Sequence, residues 1–228
     1  MTERGSYRQV RFERPEGSAQ IFLVRHGESA VADIAHPFSM TDGRGDPPLS
    51  PLGQAQAKAL ATRFVDKELE AIYVTQLRRT AETAAPLAQA TGLVPIVETD
   101  LIEVSMGEWE GGLYRKHMKE QHPLALRAFA EQRFDVIPGA ESNESLASRT
   151  KNALSLIASR HANGRVVVVA HAVVISSLLA QATGSEPFAF LGIDNASISE
   201  IIAASGRWHL RRFNDTAHLE HIGDPSHS

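Results

Sequence analysis

"VVVVA", residues 166–170, is four valines and an alanine in an unbroken row. Side chains of a strand point to opposite faces at successive residues, so a strand that is apolar throughout must be covered on both sides. That is the setting of a parallel sheet between two helical layers. The flanking sequence agrees. Upstream, Leu146, Thr150, Ala153, Leu154, Ile157, Ala158 and His161 recur at helical spacing. Further out, "IFLV" (21–24) and "AIYV" (71–74) read as two more buried strands. "VPIV" (94–97) contains a proline, which suggests an edge strand or a strand start. "ASISEIIAA" (196–204) and "WHLRRF" (208–213) read as a closing pair around a turn at Ser205, Gly206 and Arg207.

Helices fall between these strands. Ser50 followed by Pro51 is a cap residue before a proline suited to the first helical position, with Leu52, Ala55, Ala59 and Leu60 as its expected inward stripe. Leu77, Ala81, Ala84 and Ala88 mark the stripe of the next, for which Thr75 is the expected N-cap. This alternation predicts an α/β fold, a three-layer sandwich with a mostly parallel central sheet and helices on both faces. One domain over 1–228 is expected, with an N-terminal extension at 1–19 and a flexible tail at 216–228. The segment 113–138 is basic and partly helical and reads as a lid-like insertion. Its Arg115, Lys116, His117 and Lys119 either hold a second anionic group or form a solvated face above Leu126, Phe129, Ala130 and Phe134.

Composition removes several classes of function. A net charge of -4 provides no overall field for nucleic acid, so any anion site must be a local cluster. The chain has no cysteine, which excludes thiol catalysis and Cys-ligated zinc and is compatible with a cytoplasmic location. No apolar run approaches the ~20 residues of a membrane span, and the first residues alternate Arg and Glu without the apolar centre of a secretory signal. Neither a His-Glu-x-x-His pattern nor paired aspartates point to a metal, and no cofactor is expected. Nothing in the sequence sets an oligomeric state.

In a sheet of this kind ligands bind beyond the carboxyl ends of the strands. Three of those ends carry polar residues: Arg25, His26 and Gly27 after the first strand, Thr75 to Arg79 after the second, and His171 after "VVVVA". If the strands are parallel, the three groups converge. Two arginines at a helix start oppose its dipole unless an anion is bound there. Arg79 is expected to bind one, whereas Arg78 is expected to face water. Arginines and imidazoles together suit a phosphoryl dianion.

The segments "LVRHGES" (23–29), "YVTQLRRTAETA" (73–84), "EVSMGEWEG" (103–111), "GAES" (139–142) and "VVAHAVVI" (168–175) resemble, in order and spacing, the motifs of the histidine phosphatase superfamily, the phosphoglycerate-mutase-like group. The resemblance runs from about residue 21 to 213. It implies a metal-free phosphotransfer in which His26 is the nucleophile, Glu103 the general acid, and Arg25, Arg79 and His171 the holders of the phosphoryl oxygens. Ser29 and Ala172 complete the implied substrate-binding set. Glu108 and Glu110 are nearby competitors for the acid, expected instead to be exposed loop carboxylates. Three positions depart from the family's pattern: Thr75 stands for a serine, Ala32 for an asparagine and Ala172 for a glycine. The implied activity is hydrolysis of a small phosphorylated metabolite through a phosphohistidine. A mutase-type transfer is the alternative, disfavoured by the short stretch between Glu103 and Glu141, which lacks a tryptophan-arginine-arginine run. A second alternative is an inactive member that only binds a phosphorylated ligand.

Overall fold

The computed structural model describes residues 8–222. Its centre is a six-stranded sheet in the order β5-β4-β6-β1-β7-β8, built from β1 (Ala19–Arg25), β4 (Ala71–Val74), β5 (Ile96–Val97), β6 (Arg165–Ala170), β7 (Ile198–Ala204) and β8 (Arg207–Asp215). A two-stranded hairpin of β2 (Met40–Thr41) and β3 (Arg44–Gly45) stands apart. β5, β4, β6 and β1 are mutually parallel, and β7 and β8 close one edge antiparallel.

The run of valines explains the layering. Val166 and Val168, with Ile21, Leu23 and Tyr73, face the layer formed by α5 (Asn143–Arg160) and α6 (Ala172–Thr183). Val167 and Val169, with Phe22, Val24, Ile72 and Val74, face α1 (Pro51–Phe64) and α2 (Arg78–Thr91). The sheet is therefore dry on both sides, as an all-apolar strand requires. α1 is capped by the Ser50 hydroxyl, which accepts from the Gly53 N–H. Its buried stripe is Gly53, Ala57, Leu60, Ala61 and Phe64; Leu60 is as expected, whereas Leu52, Ala55 and Ala59 are half-buried, because alanines on several faces blur the apolar periodicity. In α2 the buried face holds Arg79, Thr80 and Thr83 beside Ala84 and Leu87, and Ala81 is exposed. Leu77, not Thr75, is the N-cap.

Pro95 directly precedes β5, which is the edge strand. The β7–β8 hairpin turns on Ser205 and Gly206, both at positive φ, a pairing that matches strand twist. Arg207 is already paired in β8. Two short helices, α3 (Leu113–Lys119) and α4 (Pro123–Glu131), occupy the segment expected to be lid-like. The residues of α4 that pack inward are Leu124, Ala125 and Ala128; Leu126 and Phe129 are partly exposed and Ala130 is exposed, so only Phe134 of the expected apolar set is fully buried.

The extension is tied down where it is described: Arg14 donates to the Gly164 carbonyl at 2.7 Å and Arg211 lies 3.7 Å from the Phe12 ring centroid. Residues 216–222 are not a loose tail. Ala217–Leu219 form a 3-10 turn, with His218 Nε2 3.1 Å from the Ala196 oxygen. The remainder of both terminal segments, 1–7 and 223–228, lies outside the described residues. No helix among the described residues is long and apolar enough to cross a membrane.

Candidate active site

Because β4, β6 and β1 are adjacent and parallel, their carboxyl ends deliver Thr75, His171 and Arg25-His26 to one edge. His26 and His171 lie with ring centroids 5.3 Å apart, both buried. The loop after β1 is clamped onto α1: the Ser50 N–H and hydroxyl donate to the carbonyl and carboxylate of Glu28, at 2.9 and 2.6 Å. Gly27 is needed there for close packing and does not adopt a positive φ. A Cβ on it would come within 2.7 Å of the Gly53 carbonyl oxygen, so the glycine fits the helix and not a ligand.

Two bonds fix the chemistry of His26. Its Nδ1 lies 2.7 Å from the Gly27 carbonyl, which can only accept, so Nδ1 carries the proton. Its Nε2 then holds a lone pair and accepts from Arg79 Nε at 3.2 Å. Burial, then the charges of Arg79 and Arg25, hold the imidazole well below its usual pKa. The ring is neutral, with its lone pair facing the cation that would orient an anion. His171 is likewise pushed well below the usual range, by burial first and Arg79 second. Its Nε2 is 3.0 Å from the Thr75 hydroxyl, while its buried Nδ1 has no partner. The Thr75 hydroxyl thus positions His171 and also accepts from the Leu77 N–H at 3.3 Å.

Arg79 is buried at the start of α2, with Nη1 donating to the Gly45 carbonyl at 2.9 Å and lying 3.9 Å from Asp46. Arg78, one position earlier, is exposed and pairs with Glu82 at 2.8 Å. Its backbone N–H donates to Asp46 Oδ1. Arg25 donates to the Ile193 carbonyl, and its buried Nε has no partner. Burial lowers the pKa of both Arg25 and Arg79, though a guanidinium keeps its charge in a protein.

Glu103 faces the same cleft. Burial raises its pKa, outweighing the opposing backbone bonds and Arg79. Its Oε1 accepts from the Val104 N–H at 2.9 Å and its Oε2 is 3.5 Å from the Val173 nitrogen. The loop that carries it is gripped by Arg149 of α5. Arg149 donates to the carbonyls of Asp100 and Ile102, both at 2.7 Å, and reaches that of Glu103 at 3.4 Å. The same guanidinium holds Glu141 through two bonds of 2.8 Å. Arg44 Nε adds a further bond to the Glu103 carbonyl at 3.1 Å.

The cleft encloses about 550 Å³ and is lined by Arg25, His26, Ser29, Arg79, Glu103 and Ala172 among others. Thus every member of the implied catalytic and substrate-binding set except His171 lines it directly, and His171 lies against His26, while Lys116, His117 and Lys119 do not line it. Ser29 accepts from Arg115 Nη2 at 2.8 Å, so its hydroxyl serves to place that arginine. Arg115 lines the cleft, whereas Lys116 is exposed near Glu120, at 4.0 Å. Glu108 is exposed, but Glu110 is no solvated carboxylate: its oxygens accept from the Met106 and Gly45 N–H groups at 2.8 and 2.9 Å. Sequence reasoning missed Arg44, Gly45 and Asp46, which brace Arg79 and the acid loop. It also missed Asn195, whose amide donates to the His26 carbonyl at 2.9 Å. None of these carries a periodic or motif signal; only long-range contact reveals them. Among the described residues no group of three or more metal-ligating side chains is gathered.

Residues 21–216 match the family model of the histidine phosphatase superfamily (branch 1). Phosphoserine phosphatase 1 of Hydrogenobacter thermophilus is 36% identical over 88% of this chain and 94% of its own. The metal-independent phosphoserine phosphatase of Arabidopsis thaliana is 32% identical over 90% of this chain and 84% of its own. Among solved structures, a mycobacterial glucosyl-3-phosphoglycerate phosphatase superposes with a TM-score of 0.72 at 26% identity, covering 87% of this chain and all of that one.

Proposed function

Given that the chain belongs to the histidine phosphatase superfamily, we propose that it hydrolyses small phosphomonoesters through a phosphohistidine formed on His26. The observation that carries the reading is the tautomer of His26: a proton tied to the Gly27 carbonyl through Nδ1 and a lone pair on Nε2 facing Arg79. A neutral imidazole so held is a nucleophile without any deprotonation step.

In the first step Nε2 attacks phosphorus in line. The P–N bond forms as the ester P–O bond breaks, and the departing oxygen takes the proton of Glu103. The raised pKa of Glu103 supports its protonated form before the attack. In the second step water attacks the phosphohistidine, Glu103 accepts its proton, the P–N bond breaks and inorganic phosphate leaves. Arg25, Arg79 and His171 hold the non-bridging oxygens, where most catalysis of phosphoryl transfer resides. The partnerless Nδ1 of His171 and Nε of Arg25 are the donors left for them. With the Thr75 hydroxyl, 3.0 Å away, as donor to His171 Nε2, the ring proton sits on Nδ1. Ala172 opens α6, whose first amides have no acceptor within the helix and favour an anion. Arg115 lies close enough that its charge lowers the pKa of Arg25, Arg79 and His26, so it adds to the same positive field. A cytoplasmic location belongs to the same reading, supported by a chain without cysteines.

The test is phosphate release from phosphomonoesters in the presence of a chelator, with vanadate as inhibitor, and with 3-phosphoglycerate as one substrate. Release that survives the chelator and is blocked by vanadate is expected. Loss restored only by a divalent metal would refute the reading, and isomerisation to 2-phosphoglycerate outpacing release would assign a mutase instead.

A further inference from the structure

The two sides of the cleft differ in chemistry. On the phosphoryl side stand Arg25, His26, Arg79 and Arg115. The leaving group must depart toward Glu103, because that carboxyl supplies its proton. Beside Glu103 one stretch of the wall is apolar: Val104 and Val173 flank the carboxyl through their backbone nitrogens, and Tyr114, Phe129, Phe134 and Leu191 continue it. Arg44, which also lines the cleft, donates to the Glu103 and Asp42 carbonyls and lies 3.7 Å from Glu141. Tyr114 is close enough to Glu103 that the carboxylate contributes, after burial, to holding the phenol up at about 12. Tyr114 packs edge-on against Phe134, and Phe129 and Phe134 both pack against Phe188, so these rings form one surface.

The carboxylates of the cleft already have protein partners. Glu110 accepts two backbone N–H groups, Glu28 accepts the Ser50 hydroxyl and lies in the field of Arg115, and Glu103 is the proton donor. Each of the three carboxylates lining the cleft among the described residues is thus engaged by the protein itself. Arg115 is held on the phosphoryl side, donating to the Ala30 carbonyl and the Ser29 hydroxyl. A volume of about 550 Å³ is more than three times the ~150 Å³ that accommodates a benzene molecule.

Resting on the phosphatase reading above, we infer that the substrate alcohol carries an apolar, ring-sized body seated against Tyr114, Phe129 and Leu191, and is not an amino acid. A site built to hydrogen-bond a substrate group discriminates strongly for it, whereas an apolar wall rewards added hydrocarbon. Seated against Phe129 and Leu191, the amino and carboxyl groups of a phosphorylated hydroxy-amino acid would lose water without gaining partners.

The experiment compares kcat/KM for ethyl phosphate, phenethyl phosphate and O-phosphoserine on the intact chain. All three are alkyl esters, so their demand for protonation by Glu103 is comparable, and serine, the better leaving group, starts with an advantage. The expected result is phenethyl phosphate preferred over both others by roughly tenfold or more. Phe129→Ala is the matched variant, since Phe129 is 44% exposed and its removal spares the core. It should shrink the ratio of phenethyl to ethyl phosphate. A preference for O-phosphoserine would overturn this inference and leave the phosphatase reading standing. A phenethyl-to-ethyl ratio unchanged by Phe129→Ala would overturn the assigned wall, and no hydrolysis of any ester would overturn both.

Discussion

Keeping two buried imidazoles neutral beside two guanidinium groups has a cost that appears as the pH falls. Both His26 and His171 have folded-state pKa values well below the usual one, from burial and from Arg79. Their contribution to stability is therefore present above about pH 6.5, where the unfolded imidazoles are also neutral, and is lost as pH falls below it. Each imidazole that protonates only in the unfolded chain lowers stability by up to about 1.4 kcal/mol per pH unit. Between about pH 6.5 and 5.5 the unfolded groups pass from half to nearly full protonation, so each contributes about 1 kcal/mol and the pair about 2 kcal/mol. Glu103 acts in the opposite direction: its raised folded pKa gives stability that is present at low pH and lost as pH rises above the ordinary carboxylate range. Comparing the wild type with a His26→Asn, His171→Asn double variant cancels that contribution and those of the remaining carboxylates. The assay is urea unfolding followed by circular dichroism in phosphate-free buffer at both pH values, since bound phosphate would stabilise the folded state. The wild type should lose about 2 kcal/mol more than the double variant over this interval. Equal losses would refute the neutral-imidazole account, and with it the nucleophile's readiness.

Two further substitutions separate the acid from its support. Glu103→Gln should lower kcat for alkyl phosphates by roughly 10²–10⁴-fold while affecting aryl phosphates much less, because an aryl oxide leaves without a proton; equal losses on both would remove Glu103 as the acid. Arg149→Met frees the Asp100, Ile102 and Glu103 carbonyls from their clamp. It should reproduce the same leaving-group dependence at roughly 10²-fold, the penalty of a misplacement of about 1 Å, with little change in KM. Arg149→Lys should restore part of the loss, and a uniform loss on alkyl and aryl esters would mean that Arg149 matters only for stability.

How much of this was legible in the sequence depends on how local the signal is. The apolar valine run sets both the parallel sheet and its two covers, and adjacency of β4, β6 and β1 then brings Arg25, His26, Arg79 and His171 together. The expected inward faces held at Leu60, Leu77, Ala84 and Ala88 but failed at Ala81 and Ala130, because alanine is apolar yet tolerated outside. In α2, moreover, the buried face includes Thr80 and Thr83, whose hydroxyls donate to the Leu77 and Arg79 carbonyls within the same segment. Thr75 looked like a cap because threonine before a helix usually is one, but its hydroxyl is engaged with His171. Arg44 and Arg149 act on backbone carbonyls far away in sequence, and a carbonyl has no residue identity to read.

The central claim is the covalent intermediate, and the direct measurement is acid-free rapid quenching during turnover, followed by intact-mass and peptide mass analysis. A phosphoryl group on His26, stable in base and lost in acid, is the predicted result, with none on a His26→Asn variant. A turning-over enzyme with no phosphoryl adduct, or with the adduct on another residue, would contradict it.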